Sequence, residues 1–271
     1  MFGAICGDVI GSYFERNNVK HKNFSLFSAK SRFTDDTVLT VAVADSIVNH
    51  RYFSSTIHSY SNLYPNAGYG SGFKKWFRSK HPHPYGSYGN GSAMRVSPVG
   101  FAFNSLDEVL EISKKTSEIS HNHPEAVKGA QAIASSIFLA RQDRDKSEIR
   151  KFIEDSFQYD LTKEIDEIRQ DYKFDVSAQG SVPQAITAFL ESTDYEDAVR
   201  NAISIGGDSD TIACMCGGIA EAYYNKIPEE IIDSVLKIIP PDFTEIIKKF
   251  YSVYMKNSSI DFSSQKYTEP S

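Results

Sequence analysis

Two short acidic clusters constrain this chain more than any other feature: Thr34-Asp35-Asp36-Thr37 and Asp208-Ser209-Asp210-Thr211. They are far apart in sequence, and each leads directly into an apolar, helix-like run. Each puts two carboxylates and at least one threonine hydroxyl on consecutive residues with no lysine or arginine between them. Four carboxylates brought together repel one another unless cations neutralise them. Oxygen-only ligands of this kind suit hard divalent ions such as Mg²⁺ or Mn²⁺, not zinc or copper. The alternative is ordinary capping, because Asp and Thr before a helix satisfy its first N–H groups and complement its dipole. A cap needs one such side chain, whereas each cluster offers three or four. Gly206-Gly207, just ahead of the second cluster, also allows a tight turn or a close approach to a ligand. The pattern therefore points to a fold in which two helix starts meet around cations.

Helical periodicity dominates the rest of the chain. Residues 37–49, 105–119, 124–141, 183–191, 195–204, 211–224, 228–238 and 241–255 read as helices, and strand-like alternation is scarce. The spacing predicts an all-α, single-domain fold. Pro124 and Pro228 stand where a first helical residue would, each followed by acid. The Ala-rich run 124–141 carries little charge on its apolar side and reads as a central, buried helix. The segment 64–101, crowded with Gly, Ser, Tyr, Pro and Asn, reads as one long functional loop. Residues 1–257 are expected to form one domain, followed by a polar tail over 258–271.

Other segments carry weaker chemical signals. In Gly3-Ala4-Ile5-Cys6-Gly7-Asp8-Val9-Ile10-Gly11-Ser12-Tyr13-Phe14-Glu15, glycines at 3, 7 and 11 would let a second helix pack closely, and Asp8 and Glu15 would share one helix face. The functional reading gives Glu15 to a polar cavity; the bland one leaves two solvated acids. The stretch Gly86-Ser87-Tyr88-Gly89-Asn90-Gly91-Ser92-Ala93-Met94-Arg95 offers backbone N–H groups of the kind that cradle phosphates. Gly68-Tyr69-Gly70-Ser71-Gly72-Phe73 is similar, with aromatics able to stack on a base. Neither has the ending of a phosphate-binding loop of the Walker type or a dinucleotide fingerprint, and plain turns explain such runs equally well. The pairs His81/His83 and His121/His123 lack the companions of a zinc site. His121, just before a Pro-initiated helix, reads as a polar contact at a pocket rim. Cys214 and Cys216 diverge on a helix and read as core residues.

Composition excludes several partner classes. The formal net charge of −6 gives no support to nucleic-acid or anionic-membrane binding. No apolar run approaches a membrane span, the N-terminus lacks the regions of a signal peptide, and three cysteines make no disulfide framework. A soluble, cytoplasmic protein is expected, and a monomer, because no apolar stripe is left over once the helices pack.

The ordered set of motifs resembles one family, the ADP-ribosylglycohydrolases. GAICGDVIGSYFE (3–15), FTDDT (33–37), GYGSG (68–72), GSYGNGSAMRVSP (86–98), SHNHPEA (120–126), SVPQAITAFLES (181–192) and AISIGGDSDTIA (202–213) follow the family's order. The resemblance covers nearly the whole chain. It implies an all-α fold around two Mg²⁺ or Mn²⁺ ions, held by Thr34, Asp35, Asp36, Asp208, Asp210 and Thr211. It assigns Gly70, Ser87, Tyr88, Gly89, Asn90, Gly91, Met94, His121 and Gly207 to the binding of an ADP-ribosyl substrate, a modified protein or a small compound. Either Glu15 or Asp36 would move the proton in catalysis. The implied reaction is hydrolysis of the bond between ADP-ribose and a side chain, arginine by resemblance to the bacterial branch. Serine-linked or polymeric ADP-ribose, O-acetyl-ADP-ribose and non-catalytic ADP-ribose binding are the competing readings.

Overall fold

The computed structural model describes residues 1–260 and 262; among these the chain is helical throughout, with no strand beyond one isolated bridge between Gly89 and Ser177. The first six helices are α1 (Phe2–Gly11), α2 (Asp35–Val48), α3 (Phe53–Leu63), α4 (Ser71–Arg78), α5 (Gly91–Met94) and α6 (Ser97–Ala102). Next come α7 (Leu106–Glu118), α8 (Pro124–Arg141), α9 (Lys146–Phe157), α10 (Ile165–Asp171) and α11 (Ala178–Leu190). The chain continues with α12 (Tyr195–Ser204), α13 (Ser209–Tyr224), α14 (Glu229–Leu236) and α15 (Pro241–Tyr254). Helices α8 and α12 lie where the periodicity put them, while α11 starts earlier and carries Pro183 inside it. The expected long loop is interrupted: Phe73, Trp76 and Phe77 bury one face of α4, and α5 and α6 follow the glycine-rich turn. Pro228 is the N-cap of α14, not its first residue. No helix among the described residues is long and apolar enough to cross a membrane.

The glycines at 3, 7 and 11 do what their spacing predicts, and their partner is α13. All ten residues of α1 are buried. A Cβ on Gly7 would stand 2.1 Å from the Ala213 carbonyl oxygen, one on Gly11 2.6 Å from the Asp210 Cα, and one on Gly3 2.5 Å from the Gly217 oxygen. Gly217 answers from the other side, where a Cβ would lie 2.3 Å from the Gly3 oxygen. The two backbones therefore meet directly along the seam, and its upper end delivers α1 to the second acidic cluster. Beneath it α8 packs against α5, α6, α7, α11 and α13 as the central helix the composition suggested.

At the far end of the seam Glu221 is buried and accepts hydrogen bonds from the Gly3 N–H (2.8 Å), the Met1 amino group and the Tyr251 hydroxyl. Removing the acceptor strands buried donors and a charge. Glu221→Ala is expected to lose about 3–5 kcal/mol of stability, read by denaturant unfolding, with the cluster at the opposite end keeping its hydrogen bonds. Ile260 and Phe262 are buried, with the Phe262 ring 5.3 Å from Phe2 and 4.8 Å from Tyr251. The chain thus packs its apolar residues beyond the point at which a polar tail was expected to begin. The rest of that tail, 261 and 263–271, lies outside the described residues.

Candidate functional site

Each acidic cluster stands at a helix start and faces the other cluster. Thr34 is the N-cap of α2 and its hydroxyl accepts from the Asp36 N–H (3.3 Å); Asp208 occupies the N-cap position of α13. The consecutive positive-φ residues Gly206 (+76°) and Gly207 (+74°) turn the chain into α13. Asn18 clasps that turn, accepting from the Gly207 N–H at 2.6 Å and donating to its carbonyl at 3.2 Å. At α2 the same side chains both cap and cluster, whereas Asp208 makes no side-chain cap to α13. The helix starts aim their N–H groups and their side chains at one point.

One oxygen from each of Asp8, Asp36 and Asp210 lies within 4.8 Å of the others, and all three residues are buried. Thr211 bridges the clusters, its hydroxyl 3.3 Å from an Asp36 oxygen. The other Asp36 oxygen is buried without a partner. Burial, reinforced by the neighbouring carboxylates, holds Asp36 and Asp210 well above the usual carboxylate range. Asp35 is pushed up to about 8 by burial and then by Asp8. Asp208 is pushed up to about 6 by burial, against the hydrogen bond it accepts from Asn90. A cluster of this kind cannot hold all its charges unaided, and the Asp36 oxygen without a partner among the described residues is an acceptor of the type that suits a hard cation. The donor set present fits Mg²⁺ or Mn²⁺.

Asp8 was not among the ligands that the motifs assigned. Its Oδ2 accepts the Thr34 N–H (2.9 Å), the Thr37 N–H (3.1 Å) and the Thr37 hydroxyl, and its Oδ1 accepts the Thr34 hydroxyl at 2.6 Å. With four donors on one carboxylate, Asp8 anchors the first turn of α2. By accepting the Thr34 hydroxyl hydrogen bond it also orients that oxygen, which accepts the Asp36 N–H on another side. The available signal was a lone acid immediately after a seam glycine. Glu15 does not share a helix face with Asp8, because α1 ends at Gly11; it lies in the following turn and reaches the cleft from there.

The cluster forms the floor of a cleft of about 490 Å³. Of the expected substrate residues, Gly70, Ser87, Gly89, Asn90, Gly91, Met94 and His121 line it. Two do not: Gly207 carries the turn behind Asp208, and the exposed Tyr88 sets its ring edge-on to His123 at 5.8 Å. His121 is buried, only 5% exposed, so it belongs to the cleft wall and not to the rim. Tyr69 and Phe73 stack on each other at 5.5 Å within the core, and only Phe73 reaches the cleft. Asn90 donates to Asp208 at 2.7 Å, tying the glycine-rich turn to the metal-type cluster. The Asn90 N–H donates to the Val176 carbonyl (2.8 Å) and the Ala178 N–H to the Tyr88 carbonyl (2.9 Å), so the segment before α11 braces that turn. Gly68, at φ +122°, lets the chain pass Asp35 closely; a Cβ there would stand 2.8 Å from its carboxylate. Among the described residues neither histidine pair joins a metal-type group, and Cys6, Cys214 and Cys216 are buried and free.

The sequence profile of the ADP-ribosylglycohydrolases matches residues 1–259. The chain belongs to the ADP-ribosylglycohydrolase family. It is 26% identical to human ADP-ribosylhydrolase ARH3, with 84% of this chain and 85% of that protein aligned. Against the chicken ADP-ribosylhydrolase ARH3 the identity is 28%, covering 83% and 84%. Among solved structures, an ADP-ribosylglycohydrolase-related protein complex superposes with a TM-score of 0.68 over 93% of this chain and 97% of that one. At 20% identity that likeness shows the fold. This ADP-ribosylglycohydrolase family member carries its acidic residues on two helix starts, with the glycine-rich turn beside them.

Proposed function

We propose that the chain is a cation-dependent hydrolase that releases ADP-ribose from an oxygen-linked substrate. The observation that carries the reading is the Asn90–Asp208 hydrogen bond, which couples the anion-cradling turn to the carboxylate cluster within one cleft. A diphosphate on the N–H groups of Gly89–Gly91 would place the attached ribose over the cluster. Two divalent ions held by Thr34, Asp35, Asp36, Asp208, Asp210 and Thr211 would supply Lewis acidity and orient the ribose hydroxyls. Asp36 has one oxygen between the Thr34 and Thr211 hydroxyls and sits at the centre of the cluster, so it is assigned to ligation. Glu15, half-exposed on the cleft wall, is assigned to moving the proton as the glycosidic bond breaks through an oxocarbenium-like state.

The linkage follows from the same wall. An arginine-linked substrate expels a guanidine that stays cationic, and the exposed Arg16 and Arg32 both line the cleft, adjacent in sequence to Glu15 and near Thr34. Like charges there oppose that leaving group, whereas a serine hydroxyl, a second ADP-ribose unit or an acetyl ester meets no such opposition. The arginine linkage also gains no support from the names of the relatives.

A panel of arginine-linked, serine-linked, polymeric and O-acetyl substrates, with free ADP-ribose as the readout, tests both parts. Metal-loaded protein is expected to release ADP-ribose from oxygen linkages at least about tenfold faster than from arginine. EDTA is expected to stop release, and Mg²⁺ or Mn²⁺ to restore it. Faster arginine cleavage would overturn the linkage assignment, and no release from any substrate would leave the chain as an ADP-ribose binder. Glu15→Gln is expected to lower kcat by about 10²–10⁴ while leaving ADP-ribose affinity in place.

A further inference from the structure

Arg95 closes the short helix α5 and is completely buried, yet no carboxylate pairs with it. Its Nη2 donates to the Thr116 carbonyl at 2.7 Å and to the Ser120 hydroxyl at 3.2 Å, while Nε and Nη1 have no partner among the described residues. The guanidinium stands 5.9 Å above the Phe73 ring. A buried cation with so few partners is costly to keep, so the position calls for a role beyond packing.

The role emerges from counting protons. Ser120 Oγ lies 2.7 Å from His121 Nδ1, and both residues are buried. Arginine can only donate, so Ser120 Oγ accepts from Arg95. The single Ser120 hydroxyl proton then needs an acceptor, and among the contacts of that oxygen only His121 Nδ1 can be one. An Nδ1–H would fill the second lone pair of Ser120 Oγ and strand its buried hydroxyl proton, so the arrangement that satisfies every group leaves Nδ1 without a proton and places the proton of the neutral imidazole on Nε2. Burial, with the Arg95 charge behind it, holds His121 well below the usual imidazole range, so the doubly protonated form does not compete. The ring cannot turn freely. Tyr85 packs edge-on at 5.8 Å and Phe73 lies at 6.2 Å, while the backbone is tied by the His121 N–H to the Ser117 carbonyl and by the Ser117 hydroxyl to the His121 carbonyl, both at 2.8 Å. Nε2 faces the glycine-rich turn, close enough that a Cβ on Gly91 would stand 2.8 Å from it.

We propose that Arg95 and Ser120 are positioning residues that hold His121 as the neutral Nε2–H tautomer, giving the cleft a fixed donor for an acceptor oxygen of the diphosphate class seated on the Gly89–Gly91 turn. The reversed tautomer would present a lone pair to that oxygen and repel it. The identity of the oxygen rests on the reading of the cleft given above; the tautomer does not.

Long-range ¹H–¹⁵N spectra of the imidazoles in the labelled full chain, with His121 assigned by His121→Gln, read the proton position directly. The expected result is a single Nε2–H tautomer in the ligand-free protein at neutral pH. A proton on Nδ1 would overturn the proposal without any variant being made. Ser120→Ala is expected to convert His121 to a mixture of tautomers and to weaken ADP-ribose binding about tenfold, the loss of roughly one well-aligned hydrogen bond. The stabilisation of the protein by Mg²⁺ should be unaffected. An unchanged tautomer in Ser120→Ala would also sink the relay. If ADP-ribose fails to bind even the unaltered protein, the reading of the cleft falls while the spectra still decide the relay.

Discussion

Asp36→Asn is expected to abolish ADP-ribose release while making the metal-free protein no less stable. The two effects share a cause. Asp36 and Asp210 are held well above the usual carboxylate range by burial and then by neighbouring carboxylates, Asp8 foremost for Asp36 and Asp208 foremost for Asp210, so the cluster is a source of repulsion. A neutral amide of the same shape removes that repulsion, worth on the order of 1–3 kcal/mol for a buried, uncompensated carboxylate. The same change removes a hard anionic ligand and with it the reason for a cation to bind. Thermal unfolding with and without Mg²⁺ separates the terms. The unaltered protein should gain stability with added cation, following mass action, whereas Asp36→Asn and Asp210→Asn should gain little. Hydrolysis in either variant should fall by about 10³ or more. Near-normal turnover with Mg²⁺ present would end the cation-centred reading. A variant that loses stability in EDTA would show instead that the carboxylate is structural.

The second large effect is expected at Gly7. Its missing Cβ leaves room for the Ala213 carbonyl oxygen, 2.1 Å from where that carbon would be, and the obstacle is backbone and not a flexible side chain. Gly7→Ala must push α1 off α13. Overpacking of this kind costs about 1–3 kcal/mol where a core can yield, and a backbone-to-backbone clash lies at or beyond the upper end. Asp8 follows Gly7 directly, and Gly11 abuts Asp210, so a shift of α1 moves two carboxylates of the cluster relative to each other. The expectation is a Tm lower by about 6–12 °C, on the scale of 2–4 °C per kcal/mol for chains of this size, together with weakened Mg²⁺ stabilisation. Gly129→Ala is the control. A Cβ there meets only side-chain atoms at 3.1 Å, the Ala178 Cβ and the Val182 Cγ2, so a loss confined to packing should leave the cation response intact.

What could be read in the sequence was whatever neighbours in the chain specify together. The acidic clusters were legible because ligand types sit on consecutive residues at a helix start, and the α1 glycines because spacing alone puts them on one face. Asp8 was not legible as part of the cluster, since its importance lies in four donors supplied by Thr34 and Thr37 from a different helix. Gly207 and Tyr88 sit within the right motifs but do not line the cleft, and only the fold distinguishes a motif residue that lines a site from one that supports it. Helix α4 hid in a glycine-rich stretch because its apolar triplet is short. Helix α9 announced itself through the Asp145–Glu148 capping box, a local signal that was there to be used. His121 was placed at a rim by its position before a proline; the aromatic packing that buries it comes from α4 and from Tyr85.

The seam between α1 and α13 also has a meaning in time. A chain leaves the ribosome from its N-terminus, so the ten wholly buried residues of α1 emerge about 200 positions before the helix that covers them. At roughly 5–20 residues per second, that leaves an apolar segment without its partner for on the order of ten to forty seconds. The three carboxylates that lie together in the folded protein are thus made at different times, Asp8 and Asp36 early and Asp210 late. A cation site that needs all three carboxylates can then be completed only after α13 has been made and the first helix has found its groove.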